Sequence, residues 1–81
     1  MDPKAVLDTR VKPKLVDLFG DAMANQIITG SAKKAGANPA SLDEAGFRKL
    51  VEAIGADPKF TGMVGKKATI TVLAWKGDLA K

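Results

Sequence analysis

The chain has 81 residues, enough for one small domain, and its hydrophobic share of 46% is ordinary for a folded protein. It contains neither cysteine nor histidine, which excludes disulfides, thiolate chemistry, and the most common general base and metal ligand. The formal net charge is +4, and residues 58–77 hold four lysines and no acidic residue. We therefore expect a single domain over residues 1–81 that is not an enzyme and needs no metal or cofactor.

The same composition indicates where such a protein works. A chain without cysteine is compatible with a reducing compartment, so we expect a cytoplasmic protein. No apolar run approaches the ~20 residues of a membrane-spanning helix, so no membrane contact is expected.

The first quarter of the chain predicts two short helices. Apolar residues recur about once per helical turn between residues 7 and 18. Pro13 interrupts this pattern, because in a helix interior it removes a hydrogen bond and costs ~3 kcal/mol. We therefore expect helices over 3–10 and 13–19, with a break or kink near Lys12.

A longer helix is predicted over residues 22–35, between Gly20 and Gly36. Asp21 is expected to cap its first turn. Gly30 lies in the middle of this helix, where glycine costs up to ~1 kcal/mol relative to alanine. The favoured explanation is a close crossing with another helix. The alternative is a helix that bends or ends at this glycine.

Residues 41–55 combine a start signal, an apolar face and a stop signal. Ser41 and Glu44 form the S-x-x-E pattern of a capping box. Gly55 occupies a typical helix-ending position, and a short helical turn is expected over residues 58–63. The apolar face of the central helix follows the spacing i, i+3, i+4, i+7 and comprises Phe47, Leu50, Val51 and Ile54.

Residues 66–76 are compatible with two structures. Apolar residues alternate with threonines from Ala68 to Val72, which favours a strand. No second strand is predicted to pair with it, and buried unpaired backbone groups are costly. We therefore predict a helix over 66–76, or else a strand over 68–75 paired with a second copy in a dimer. The inward face of the helix would comprise Ile70, Leu73, Ala74 and Val72.

The predicted fold class is all-α, a small bundle of four to six short helices around one core. The strand alternative would make the fold α+β. Candidate partner-binding residues lie in the basic segment and are Lys59, Lys66, Lys67, Trp75 and Lys76. The lysines could contact phosphates or an acidic partner, and an exposed tryptophan could stack on a base or anchor a protein. The favoured alternative is that the lysines keep the protein soluble while Trp75 fills the core.

Other sequence motifs do not support a specific chemistry. The pair Gly65-Lys66 does not complete a phosphate-binding loop, because Phe60 and Lys67 occupy the required glycine and hydroxyl positions. We predict a non-catalytic protein–protein interaction module, including self-association through residues 66–76 as a homodimer. The alternative is a nucleic-acid-binding protein that uses the basic C-terminal segment.

Overall fold

The computed structural model describes residues 2–80, which form five helices and no strand. The all-α prediction is confirmed and the strand over 68–75 is wrong. The ends of the predicted 1–81 domain, Met1 and Lys81, lie outside the described residues. Helix α1 has three contiguous segments, Pro3–Val6, Leu7–Val11 and Lys12–Phe19; the others are α2 (Asp21–Ala35), α3 (Glu44–Ala56), α4 (Pro58–Val64) and α5 (Lys67–Leu79). A 3-10 turn, Pro39–Ser41, lies between α2 and α3.

Helix α1 continues through Pro13, so the chain does not break near Lys12 as one form of the prediction required; a local irregularity precedes that residue instead. Its middle segment is π-helical, and the Lys12 N–H donates to the carbonyl of Leu7, five residues earlier. Pro13 is the second residue of the resumed α segment and directly follows this π turn. Leu7, the first residue of the π segment, and Leu15, in the α segment that follows, are both buried. The π turn therefore accommodates the proline without separating the two halves of the helix.

Helix α2 lies between Gly20 and Gly36, whose positive φ angles of 86° and 67° favour glycine. Gly20 holds the capping position, so Asp21 is the first helical residue rather than the predicted cap. The close crossing predicted at Gly30 is wrong, because a Cβ there would meet no atom within 4 Å. The helix runs on past this glycine to Ala35, with Gly30 on its exposed side.

The start of α3 differs from the predicted capping box. Asp43 is the N-cap, and its carboxylate accepts a hydrogen bond from the Gly46 N–H at 2.6 Å. Ser41 ends the 3-10 turn instead, and Glu44 is the first helical residue. This start leaves the buried Leu42 just before the cap, a position whose apolar side chain commonly packs against the fourth residue of a helix. The cap at Asp43 and the burial of Leu42 are therefore mutually compatible.

The end of α3 also lies elsewhere than predicted, because Gly55 is helical. A Cβ on Gly55 would meet Cγ2 of Val72 at 2.7 Å, so this glycine permits α3 and α5 to pack closely. The chain turns at Asp57, whose carboxylate accepts a hydrogen bond from the Lys59 N–H at 2.8 Å. Pro58 then starts α4.

All five helices contribute side chains to one core, with α3 packed against α2 on one side and α5 on the other. The Cα radius of gyration is 11.1 Å, close to the ~12 Å expected for a compact chain of this length. The largest side chains that are fully buried are Phe47, Phe60, Leu15, Leu50, Ile54, Val6, Val11 and Val51.

Candidate functional site

Helix α5 buries a different face from the one predicted. Its core-facing residues are Ala68, Val72, Trp75 and Leu79. The inward prediction is therefore right for Val72 and wrong for three residues that are exposed, namely Ile70, Leu73 and Ala74. The large area of a tryptophan ring makes its burial the strongest single preference in the helix. Once that ring faces the core, Ile70 and Leu73 must lie on the outside.

Trp75 is a core residue with only 4% of its surface exposed. Its ring centroid lies 5.8 Å from that of Phe60, within the range of favourable aromatic pairs. A ring in this position cannot stack on a base or enter a partner's pocket. The exposed ring that the partner-binding prediction requires is therefore not found, and the prediction that Trp75 fills the core is confirmed.

The four candidate lysines differ in their surroundings. Lys59, Lys66 and Lys67 are exposed. Lys76 is partly covered, and its Nζ donates to Oε1 of Glu52 at 2.7 Å. This hydrogen bond and the charge of Lys76 hold the pKa of Glu52 below its ordinary value. Lys76 thus links α5 to α3, whereas the other three lysines leave their charge in solvent.

Four exposed residues without polar side chains form a stripe along α5, which we call the outer face: Ile70, Leu73, Ala74 and Gly77. Their spacing of i, i+3, i+4, i+7 places them on one side of the helix. Ile70 is 68% exposed and Leu73 is 60% exposed. Helix α5 is therefore apolar both where it meets the core and where it meets solvent. A surface helix normally has a polar outer side.

The outer face continues into a shallow groove of about 230 Å³ between α3 and α5. Leu73 lines this groove as well as the outer face, together with Val72 and Gly55. The Glu52–Lys76 pair also lines it. The volume is below the ~300–1,000 Å³ typical of small-molecule pockets, and Val72 and Leu73 give the groove an apolar part beside the outer face.

The segment that contains the outer face is positively charged. Its four lysines have no acidic residue among them between positions 58 and 77. The acids at its borders have intramolecular partners: Asp57 caps α4, and Oδ2 of Asp78 lies 4.0 Å from an arginine of α1. Lys66 and Lys67 stand at the start of α5, which has no side-chain cap and adds a positive partial charge.

Two other surface depressions contain polar side chains and have volumes of about 340 and 320 Å³. One lies on the exposed side of α2 around Gly30, and the other lies beside the π segment of α1. Within residues 2–80, no three His, Cys, Asp or Glu side chains are grouped to hold a metal ion. No helix in that part of the chain is long and apolar enough to cross a membrane.

The outer face was missed by sequence reasoning, although a signal for it exists. Ala68, Val72, Trp75 and Leu79 recur at helical spacing and mark the buried side of α5. The predicted helix ended at residue 76, so Leu79 lay outside it and the pattern was incomplete. Assigning this face to the core would have left Ile70 and Leu73 on the surface.

No protein-family model, curated protein or solved structure matches the chain. Function must therefore be inferred from the shape and charge of the chain itself.

Proposed function

We propose that this protein is a non-catalytic interaction module that binds another protein through the outer face of α5. The supporting observation is the exposure of Ile70 and Leu73 on a helix whose opposite side fills the core. Folding does not require apolar residues there, since exposed substitutions usually change stability by less than ~0.5 kcal/mol. Isoleucine is also a poorer helix former than alanine, lysine or glutamate.

The continuity of this surface supports the proposal. Single exposed apolar residues are common and need no explanation, whereas interaction sites are marked by contiguous apolar patches larger than a few hundred Å². Leu73 belongs to both the outer face and the groove, so the apolar surface extends from Ile70 towards Val72. A partner's side chain can enter the groove while its backbone lies along the outer face.

The size of the surface favours a weak, reversible contact. Helix α5 has 13 residues and is about 20 Å long. A strip about 10 Å wide along it covers only about 200 Å², whereas a stable interface buries about 800 Å² on each partner. Self-association through α5 is likewise a protein–protein contact and remains a proposal. A stable homodimer would have to bury more surface than α5 alone provides.

A peptide-display selection tests the proposal. Random peptides are selected on the immobilised protein and counter-screened on the double variant Ile70→Gln, Leu73→Gln. We expect enriched peptides to lose at least ~10-fold in affinity on this variant, equivalent to ~1.4 kcal/mol. The matched control is Gln26→Ala, Thr29→Ala on the exposed side of α2, which should bind them like the wild type. Failure to enrich peptides, or equal binding to all three proteins, would contradict the proposal.

A second candidate function is nucleic-acid binding, favoured by the exposure of Lys59, Lys66 and Lys67. Because Trp75 is buried and Lys76 pairs with Glu52, such binding would rest on phosphate charge alone. Titration with labelled duplex DNA at two ionic strengths should then give a salt slope of roughly −3, at about −0.9 per phosphate contacted. No binding at low salt would remove this candidate.

A further inference from the structure

We infer that the partner bound by the outer face is an amphipathic helix that carries acidic residues beside its apolar stripe. The inference rests on the proposed function and specifies the chemistry of the partner. It is supported by the two exposed lysines, Lys66 and Lys67, next to an apolar stripe in a segment without carboxylates. A surface of this kind is complementary to an apolar segment with negative flanks.

The shape of the surface favours a helical partner. The outer face has helical spacing along α5, and its small residues Ala74 and Gly77 allow close approach of a second backbone. Amphipathic helices bind to apolar grooves with anchors at i, i+3, i+4 and i+7, and Val72 and Leu73 form the apolar part of the groove beside the outer face. Residues 2–80 contain no strand to which an extended peptide could add.

The arrangement along α5 specifies where the acids of the partner should lie. Ile70 precedes Gly77 by seven residues, about 10 Å along the axis, and follows Lys66 and Lys67 by about one turn. The partner therefore needs an apolar stripe of about two turns, with Asp or Glu about one turn beyond it. Placed over the outer face, those carboxylates would lie near the two lysines.

Charge disfavours a second copy of this chain as the occupant. A second copy has the same lysine excess over residues 58–77 and no carboxylate within that segment, and the Glu52 carboxylate that lines the groove is already paired with Lys76. Parallel packing of two α5 helices would juxtapose these lysines, and juxtaposed like charges act against association. The acids that border the segment, Asp57 and Asp78, have partners within their own chain.

Three synthetic peptide helices of about four turns test the inference. They share one apolar stripe and differ only in flanking residues, which are Glu, Gln or Lys. We expect the Glu peptide to bind the full chain most tightly and to weaken as salt rises from about 50 to about 200 mM. The variant Lys66→Glu, Lys67→Glu should weaken that binding by roughly 3- to 30-fold and prefer the Lys peptide.

Two further variants distinguish failure of the acidic preference from failure of the proposed function. Lys33→Glu, Lys34→Glu makes the same net-charge change at exposed positions of α2 and should leave the preference for the Glu peptide intact. Ile70→Gln, Leu73→Gln should bind none of the peptides, while Trp75 fluorescence and circular dichroism report a retained fold. Equal binding of all three peptides that this variant abolishes would overturn the acidic preference and leave the proposed function standing. Peptide binding unchanged in this variant would overturn the proposed function as well.

Other occupants give distinct results. Binding to anionic vesicles with no binding to any peptide would identify a lipid surface and overturn the inference. A dimer in sedimentation that Ile70→Gln, Leu73→Gln converts to monomer would identify a second copy and also overturn it. The third result is tight binding of duplex DNA, abolished by Lys66→Glu, Lys67→Glu, with no binding of any peptide. It would show that this surface binds nucleic acid and would overturn the inference.

Discussion

At the residue scale, Gly55 shows how one missing side chain positions two helices. A Cβ there would lie 2.7 Å from Cγ2 of Val72, closer than van der Waals contact, and the branched Val72 side chain is stiff. We predict that Gly55→Ala destabilises the protein by about 1 kcal/mol, because overpacking costs ~1–3 kcal/mol and the helix-propensity gain recovers up to ~1 kcal/mol. Urea unfolding measures the difference.

The control for this prediction is Gly30→Ala. Gly30 is also mid-helix but has open space around its Cα, so alanine should stabilise the protein by roughly 0.5–1 kcal/mol. Adding Val72→Ala to Gly55→Ala should destabilise by less than the sum of the two single changes, since it removes the methyl group that clashes. Equal effects of alanine at positions 55 and 30 would contradict the packing role of Gly55.

Asp43 and Ser41 provide a second residue-scale test, because sequence and structure assign the cap of α3 differently. Asp43→Ala removes the acceptor of the Gly46 N–H and should cost about 1 kcal/mol. Ser41→Ala should change the free energy of unfolding by less than ~0.5 kcal/mol, since Ser41 is exposed and precedes the cap. Chemical denaturation measures the free energy of unfolding of both variants. A larger loss of stability in Ser41→Ala than in Asp43→Ala would support the capping box.

At the element scale, α3 and α5 are joined by the pair Glu52–Lys76 at the side of the groove. The hydrogen bond and charge of Lys76 lower the pKa of Glu52 in the folded protein. A depressed carboxyl pKa adds stability above the unfolded value of about 4.3, and that stability is lost as pH falls through the folded pKa. The effect should be small because most of the Glu52 side chain is exposed.

We predict that Lys76→Met returns the pKa of Glu52 towards its ordinary value, because both the hydrogen bond and the charge are lost. An NMR titration of the Glu52 carboxyl group measures this directly. Lys59→Met removes the same charge from α4 and serves as the control, with little expected change at Glu52. A Glu52 titration that is the same in wild type and Lys76→Met would show that the pair does not persist in solution.

At the scale of the whole molecule, all five helices contribute to one core that includes Trp75. A chain with one core of this size should unfold in a single two-state transition. We predict that circular dichroism and Trp75 fluorescence give superimposable unfolding curves, with an enthalpy of about 55 kcal/mol near 60 °C. Fluorescence that changes before the helical signal, or a Trp75 readily quenched by iodide in the native protein, would contradict this packing.

The helical fold and the approximate positions of its helices were predictable because their signals are local. Gly20 and Gly36 end helices by adopting positive φ angles, and Pro58 starts one at its first position. Such signals depend on a few neighbouring residues and on backbone geometry alone. The predictions from local sequence were wrong at Pro13 and at Ser41. Near Pro13 the helix continues through a π turn, with Leu7 and Leu15 buried. Near Ser41 the cap of α3 is Asp43, with Leu42 buried before it.

By itself, then, the sequence determined that this chain forms short helices and that its charge excess lies in residues 58–77. Only the tertiary structure decided which side of α5 is buried, because that helix is apolar on both sides and its periodicity allows two answers. The fit of Val72 against Gly55 and of Trp75 beside Phe60 selected one side for the core. The same packing left Ile70 and Leu73 in solvent, and thereby created the surface to which we assign the function.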